Sequence, residues 1–260
     1  MVLILLLIII FFLIYKIGDY MIDETRSVIF SKQLQKSVLI IDTDGTESVK
    51  TDSVSDAEQM EEIPETNDLE EQDIIPSAVD FESLYEMSSD AVAWLYDPGM
   101  TINYPVAQAD DNDYYLKRNL SGESSKSGTL FMDYRNSADF SDWNTLIYGH
   151  NMKSGTMFAS LLNYRTPGYY EEHPIMYLYV PDMRYKVELI LAYTTKVDDA
   201  IFQLSASREE QEAGLERAYR LSNFESNIQP DKNDKFVTFV TCSYAYDDAR
   251  YVVIGRLVEE

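Results

Sequence analysis

The sequence predicts a mainly β domain, a barrel or a sandwich with helices at its periphery, and three observations carry that reading. One apolar run, Ala91–Tyr96, and seven further runs of strand character recur between Thr101 and Val258. Loops rich in turn-forming residues separate them, Asp97-Pro98-Gly99 being the plainest. The stretch from Tyr185 to Thr195 also alternates, which predicts Val187, Leu189, Leu191 and Tyr193 on one face. Many short strands joined by such loops close into barrels or stack as sandwiches.

Val2 to Tyr15 is an unbroken apolar run followed by Lys16. As a helix it reaches roughly 21 Å, and Met1, Ile17 and a snorkelling Lys16 extend it to a marginal membrane span. No small-x-small cleavage site follows it, so an uncleaved anchor over residues 1–17 is expected rather than a signal peptide. No Lys or Arg precedes the run, while Lys16 and Arg26 follow it. Taken alone, the positive-inside rule therefore favours a cytoplasmic location for what comes next. Met21 to Ile40 reads as a loose amphipathic stretch.

The composition then changes. Between Asp42 and Asp80 stand fourteen acidic residues against Lys50 alone, a local charge of −13 out of −24 for the 260-residue chain. Without aromatics and with few apolar residues, such a segment cannot offset its ordering entropy by burial. Residues 18–80 are expected to be an acidic linker or stalk, partly disordered. The folded domain is expected over 81–260. Phe81, Leu84 and Tyr85 open it with a helical pattern. The strands are expected at Thr101–Val106, Thr129–Tyr134, Thr145–Tyr148, Ile175–Val180, Tyr185–Thr195, Phe236–Cys242 and Arg250–Val258. Ser207-Arg208-Glu209-Glu210 fits a capping box for one longer helix over Glu209–Ser222.

Charge and composition exclude several functions. A chain at −24 is a poor partner for a phosphate backbone. A single Cys and two His leave no disulfide framework and no Cys- or His-rich metal site. Carboxylate-held calcium stays open on composition.

Cys242 ends the β-like run FVTFVT, where a nucleophile is rigidly held yet reachable. Arg250 opens the next strand eight residues on. If the two strands pair, a permanent cation stands beside a thiol or the oxyanion its attack creates. A buried, inert Cys is the plainer alternative. His150 ends another strand, NTLIYGH, with Gly149 beside it. It could serve as general base, and as imidazolium it could protonate a leaving amine. Cys, His and Arg at strand ends make an acyl-transfer site plausible in outline. His173, in the turn EEHP, is read as structural.

These motifs resemble the sortases, and the class B sortases in particular. The pattern Thr-Leu-x-Thr-Cys appears as Thr238-Phe239-Val240-Thr241-Cys242, and the His context as Ile147-Tyr148-Gly149-His150-Asn151-Met152-Lys153-Ser154-Gly155-Thr156-Met157-Phe158. Trp94, Ile102–Val106, Asp111–Leu116, Phe131-Met132-Asp133-Tyr134 and Arg250-Tyr251-Val252-Val253 resemble the family in the same order.

The resemblance implies a closed eight-stranded β-barrel with N-terminal helices and one long helix before the Cys-bearing strand. It implies a membrane-anchored cysteine transpeptidase with an extracytoplasmic domain. Cys242, His150 and Arg250 would be its catalytic residues, with Thr241, Tyr148 and Asn151 as substrate-binding neighbours. By the same analogy no metal or other cofactor is needed. The partners would be surface proteins bearing a sorting signal and an amine acceptor from peptidoglycan precursor or a pilin. Two other readings remain beside it: a plain cysteine peptidase using the same Cys and His, and a non-catalytic surface binding module.

Overall fold

The computed structural model describes residues 2–41, 75–99, 102–243 and 245–260. The acidic residues 42–74 of the expected linker lie outside them. Helix α1 runs without a break over Val2–Val38. Strand β1 (Leu39–Ile40) pairs antiparallel with β2 (Ala78–Val79), and α2 (Phe81–Met87) follows, its first turn capped by the Asp80 carboxylate, which accepts from the Ser83 N–H. Helix and strand structure is thus present within residues 18–80, alongside the undescribed segment.

Eight strands then close a barrel: β3 (Ala91–Tyr96), β4 (Asn103–Ala107), β5 (Leu130–Met132), β6 (Asn144–Tyr148), β7 (Ile175–Val180), β8 (Met183–Lys196), β9 (Lys235–Cys242) and β10 (Ala249–Glu259). Around the wall the order is β10-β8-β7-β3-β4-β5-β6-β9. The β4–β5 and β6–β9 pairs are parallel and the rest antiparallel. Strand β5 stops short of the expected Tyr134 because the Asp133 carboxylate accepts from the Arg135 N–H and turns the chain. Two further helices complete the fold, α3 (Tyr169–Glu172) and α4 (Arg208–Leu221). The expected capping box of α4 is formed, with Ser207 and Glu210 bonded reciprocally.

The barrel encloses a core that includes Leu95, Val106, Leu130, Ile147, Val237, Phe239 and Val253. Its outer wall is apolar in two places, and each is covered. On one side α1 and α2 lay Leu34, Val38 and Leu84 over Trp94, Phe131 and Tyr179. On the other, α4 and a 3₁₀ turn at Ala200–Phe202 lay Leu215, Ala218 and Ile201 over Leu146, Val240 and Val252. A groove opens between the two covers.

The alternation expected along β8 does not hold from end to end. Val187 and Leu189 face the interior, but Leu191 and Tyr193 pack outside. Pairing with β10 skips Ile190, since Ile254 opposes Leu191 while Gly255 opposes Leu189. That bulge inserts one residue and reverses the face of everything beyond it. Gly255 permits the kink: a Cβ there would stand 2.4 Å from Val187 Cγ1.

Candidate active site

Register brings the three expected catalytic residues together. Arg250 opposes Cys242 directly across the β9–β10 ladder, so the two side chains leave the sheet on one face. On the other flank β6 runs parallel to β9 with Tyr148 beside Val240. His150 follows two residues past the end of β6 and Cys242 two residues past Val240, and both reach the same groove. Val240, on the same side of β9 as Cys242, packs on the outer wall, which puts the thiol outside the barrel and not within its core.

Cys242, His150 and Arg250 all line one groove of about 380 Å³. Its floor is Phe131, Tyr148 and Val240, the first two stacked with ring centroids 5.3 Å apart. Asn112 and Leu116 form one wall and Val197, Phe202 and Gln203 the other. All three polar residues are half-buried, held yet open to a ligand.

The histidine is oriented by backbone. His150 Nε2 lies 2.7 Å from the Leu116 carbonyl oxygen, which can only accept, so Nε2 carries the proton. In the neutral ring Nδ1 is then the basic nitrogen. The backbone beneath it is pinned: Gly149 N–H donates to the Val240 carbonyl at 3.1 Å, and Phe158 N–H donates to that of His150 at 2.9 Å. A Cβ at Gly149 would meet Leu130 Cδ2 at 2.5 Å and Phe158 Cδ2 at 2.6 Å, so only glycine lets the strand end sit this low.

Among the expected substrate contacts, Tyr148 lines the groove; Thr241 and Asn151 do not. Thr241 is buried and its hydroxyl donates to the Gly149 carbonyl at 2.7 Å. Asn151 Nδ2 donates to the Cys242 carbonyl at 3.0 Å. Both stitch the Cys strand to the His loop. His173 stacks on Tyr169 at 4.1 Å, away from the groove.

The groove also contains a charged network that strand-end reasoning passed over. Asp133, fully buried, accepts from Arg135 Nε at 2.8 Å and Nη2 at 2.7 Å, from Asn112 Nδ2 at 3.0 Å and from the Tyr148 hydroxyl at 3.0 Å. Arg135 also reaches the Phe202 carbonyl at 3.5 Å, tying floor to wall. The signal was a carboxylate and a guanidinium two residues apart just after a strand. Arg250, by contrast, makes no ion pair among the described residues; its Nη1 donates to the Ala249 carbonyl at 3.1 Å. Its charge is free to meet a developing oxyanion.

Burial works to raise the Asp133 pKa, but the Arg135 guanidinium and N–H, the Asn112 amide and the Tyr148 hydroxyl outweigh it and hold it below the usual range. A depressed carboxylate stabilises the fold above its unfolded pKa of about 3.9, and that contribution is lost as pH falls through the folded value. Asp133→Asn is therefore expected to cost about 1–3 kcal/mol at pH 7. Urea unfolding at pH 7 and over a series of acid pH values checks this: the gap between variant and wild type should hold above about pH 5 and shrink progressively as pH falls below the unfolded pKa of about 3.9.

Chemically, a thiol that shares its groove with an imidazole and with a guanidinium making no ion pair among the described residues, above an apolar floor, suits acyl transfer through a thioester. A thiol acyl transferase on a closed mixed barrel is the class to which fold and groove point. Comparison with known proteins takes this one step further. The family model for the sortase domain matches residues 95–258. Sortase B of Listeria monocytogenes is 35% identical over 178 residues, covering 67% of this chain and 72% of that protein. The Staphylococcus aureus sortase B–substrate complex superposes with a TM-score of 0.65 at 30% identity, over 69% of this chain and 85% of the other. A sortase B complexed with triglycine gives 0.65 and 30%, over 69% and 86%. The chain belongs to the sortase family, the cysteine transpeptidases, and its relatives are of class B.

Proposed function

We propose that this transpeptidase cleaves a C-terminal sorting signal after a threonine and transfers the protein so released to an amine of the cell wall, carried by peptidoglycan precursor. The observation that supports it most is the convergence of Cys242, His150 and Arg250 on one groove. The Cys242 thiolate attacks the threonine carbonyl carbon, and Arg250 stabilises the resulting oxyanion. As the carbon–nitrogen bond breaks, the His150 imidazolium gives its proton to the leaving amine, and the threonine acyl group remains on sulfur as a thioester. The acceptor amine then attacks that thioester and gives a proton to His150, and the intermediate expels the thiolate. A positioned amine outcompetes water only in a site that limits hydration, and the apolar floor of Phe131, Tyr148 and Val240 serves that end.

Helix α1 is long and apolar enough to cross a membrane by length and composition. In this reading residues 1–17 anchor the chain and residues 81–260 act as the extracytoplasmic catalytic domain. Bound substrate and triglycine in related sortase B structures agree with a peptide donor and an amine acceptor.

Incubating the full chain with threonine-containing signal peptides, with and without a triglycine acceptor, tests the proposal by mass spectrometry. Cleavage after threonine and an amine-dependent ligated product are expected. Hydrolysis alone across acceptors would make the protein a peptidase, and no cleavage of any signal would make it a binding module.

A further inference from the structure

Helix α1 does not leave the barrel when its apolar run ends. Just past Ile17, the Asp19 carboxylate pairs with Lys126 Nζ at 2.7 Å, and the Asp23 carboxylate accepts from the Lys126 backbone N–H at 2.9 Å. Ser27 and Phe30 share a crevice with Leu120. Leu34 and Val38 are fully buried, and between them Gln35 Nε2 donates to the Asn103 carbonyl at 2.7 Å. Positions 19, 23, 27, 30, 34 and 38 advance by three or four, so they form one face of the helix. From first to last they span about 28 Å of unbroken contact. The exposed Asp19–Lys126 pair contributes little by itself. The stripe is what holds the helix.

The start of that stripe matters most. Asp19 stands two residues beyond Ile17, about 3 Å of helix rise. No spacer separates the apolar run from the barrel. Nor does the acidic segment supply one. Ser77 N–H donates to the Ile40 carbonyl at 2.8 Å and Asp80 N–H to that of Val38 at 2.8 Å, so the chain returns at Ile75 beside the place it left at Ile41. Paired strands lie about 5 Å apart. Whatever lies between 42 and 74 cannot set the distance from the run to the barrel.

We infer that the barrel rests on the membrane surface through the face around Lys126, with α1 as a rigid splint, and is not carried on a stalk. The inference rests on the anchor reading proposed above. Around Lys126 the cations Lys117, Arg118 and Lys126 meet the carboxylates Asp19, Asp23 and Glu123, so their charges balance and it is the geometry of α1 that brings this face to the headgroups. The roots of the acidic segment lie at the opposite end of the helix contact, about 28 Å away, several times the Debye length of about 8 Å. Repulsion between that segment's roots and the headgroups is screened there. The groove shares this membrane-facing end: Ser125 N–H donates to the Lys117 carbonyl at 2.9 Å and Thr129 N–H to that of Tyr115 at 3.1 Å, joining the contact segment to the wall that carries Leu116. Such a groove favours donors and acceptors that are themselves tethered to the bilayer.

The test uses the full chain in phosphatidylglycerol-containing vesicles that carry a nitroxide at headgroup level. In a Cys242→Ala background, one fluorophore is placed at Ser124→Cys and, in a second protein, at Glu259→Cys, both exposed positions at opposite ends of the barrel. Unchanged thermal unfolding of the labelled proteins checks their fold. Quenching is expected to be several-fold greater at position 124 than at 259. Protein that floats with the vesicles while both labels stay bright would overturn the surface contact and leave the anchor intact. Equal quenching at both positions would overturn the face named here. Failure to float would sink the anchor reading, and the inference with it.

Discussion

Cys242→Ala is expected to abolish both cleavage and transfer of a sorting-signal peptide, by at least about 10³-fold in kcat. The proposed route runs through a covalent thioester, and no other thiol exists in the chain to carry it. What the groove and Arg250 could still provide is binding and polarisation of the carbonyl, without a nucleophile of comparable strength. Stability should move little, by under about 1 kcal/mol, because Cys242 is half-buried at the end of its strand and its backbone carbonyl keeps the Asn151 contact. Two measurements decide the matter together. Intact-mass analysis should show an acyl adduct on the wild type and none on the variant, while their unfolding midpoints coincide. A variant that retains turnover would remove Cys242 from the chemistry.

His150→Ala should lower kcat by about 10²–10⁴-fold with the fold retained. The argument is the proton inventory. Acylation needs a donor for the departing amine, and deacylation needs a base for the incoming one. The Leu116 carbonyl holds Nε2–H at 2.7 Å, which leaves Nδ1 as the nitrogen that can exchange a proton. Loss of the ring should therefore slow both half-reactions, measured as single-turnover acylation and as the resolution of preformed acyl-enzyme by amine. If acylation alone suffered, His150 would be an acid only. If neither changed beyond tenfold, the role would belong elsewhere.

Much of the fold was legible because its signals are local. Strand runs, turn clusters and the Ser207–Glu210 capping box sit within a few residues of one another, and the helix and strands they announce are present. The alternation along β8 misled past Leu189 because a bulge is set by the partner strand, here by Gly255 opposite. Of the candidate site, residue types and strand-end positions were visible. The supporting contacts were not. A backbone carbonyl such as that of Leu116 has no signature in sequence, and Thr241 and Asn151 reveal only in three dimensions that they bond backbone and do not line the groove.

By itself the sequence determined which chemistry was available: one thiol, one histidine at a glycine-flanked strand end, one arginine opening a strand, and motifs that resemble a single family. Side-chain reactivity belongs to the residue and its immediate neighbours, so a linear reading reaches it. Only the tertiary structure decided that the three share a groove on the outer wall, and that the acidic segment starts and ends at one point beside the barrel. Both depend on the register of strands far apart along the chain. For the groove that register is settled by the closed barrel as a whole, where each strand must satisfy two neighbours at once, whereas the return of the acidic segment rests on the separate β1–β2 pair.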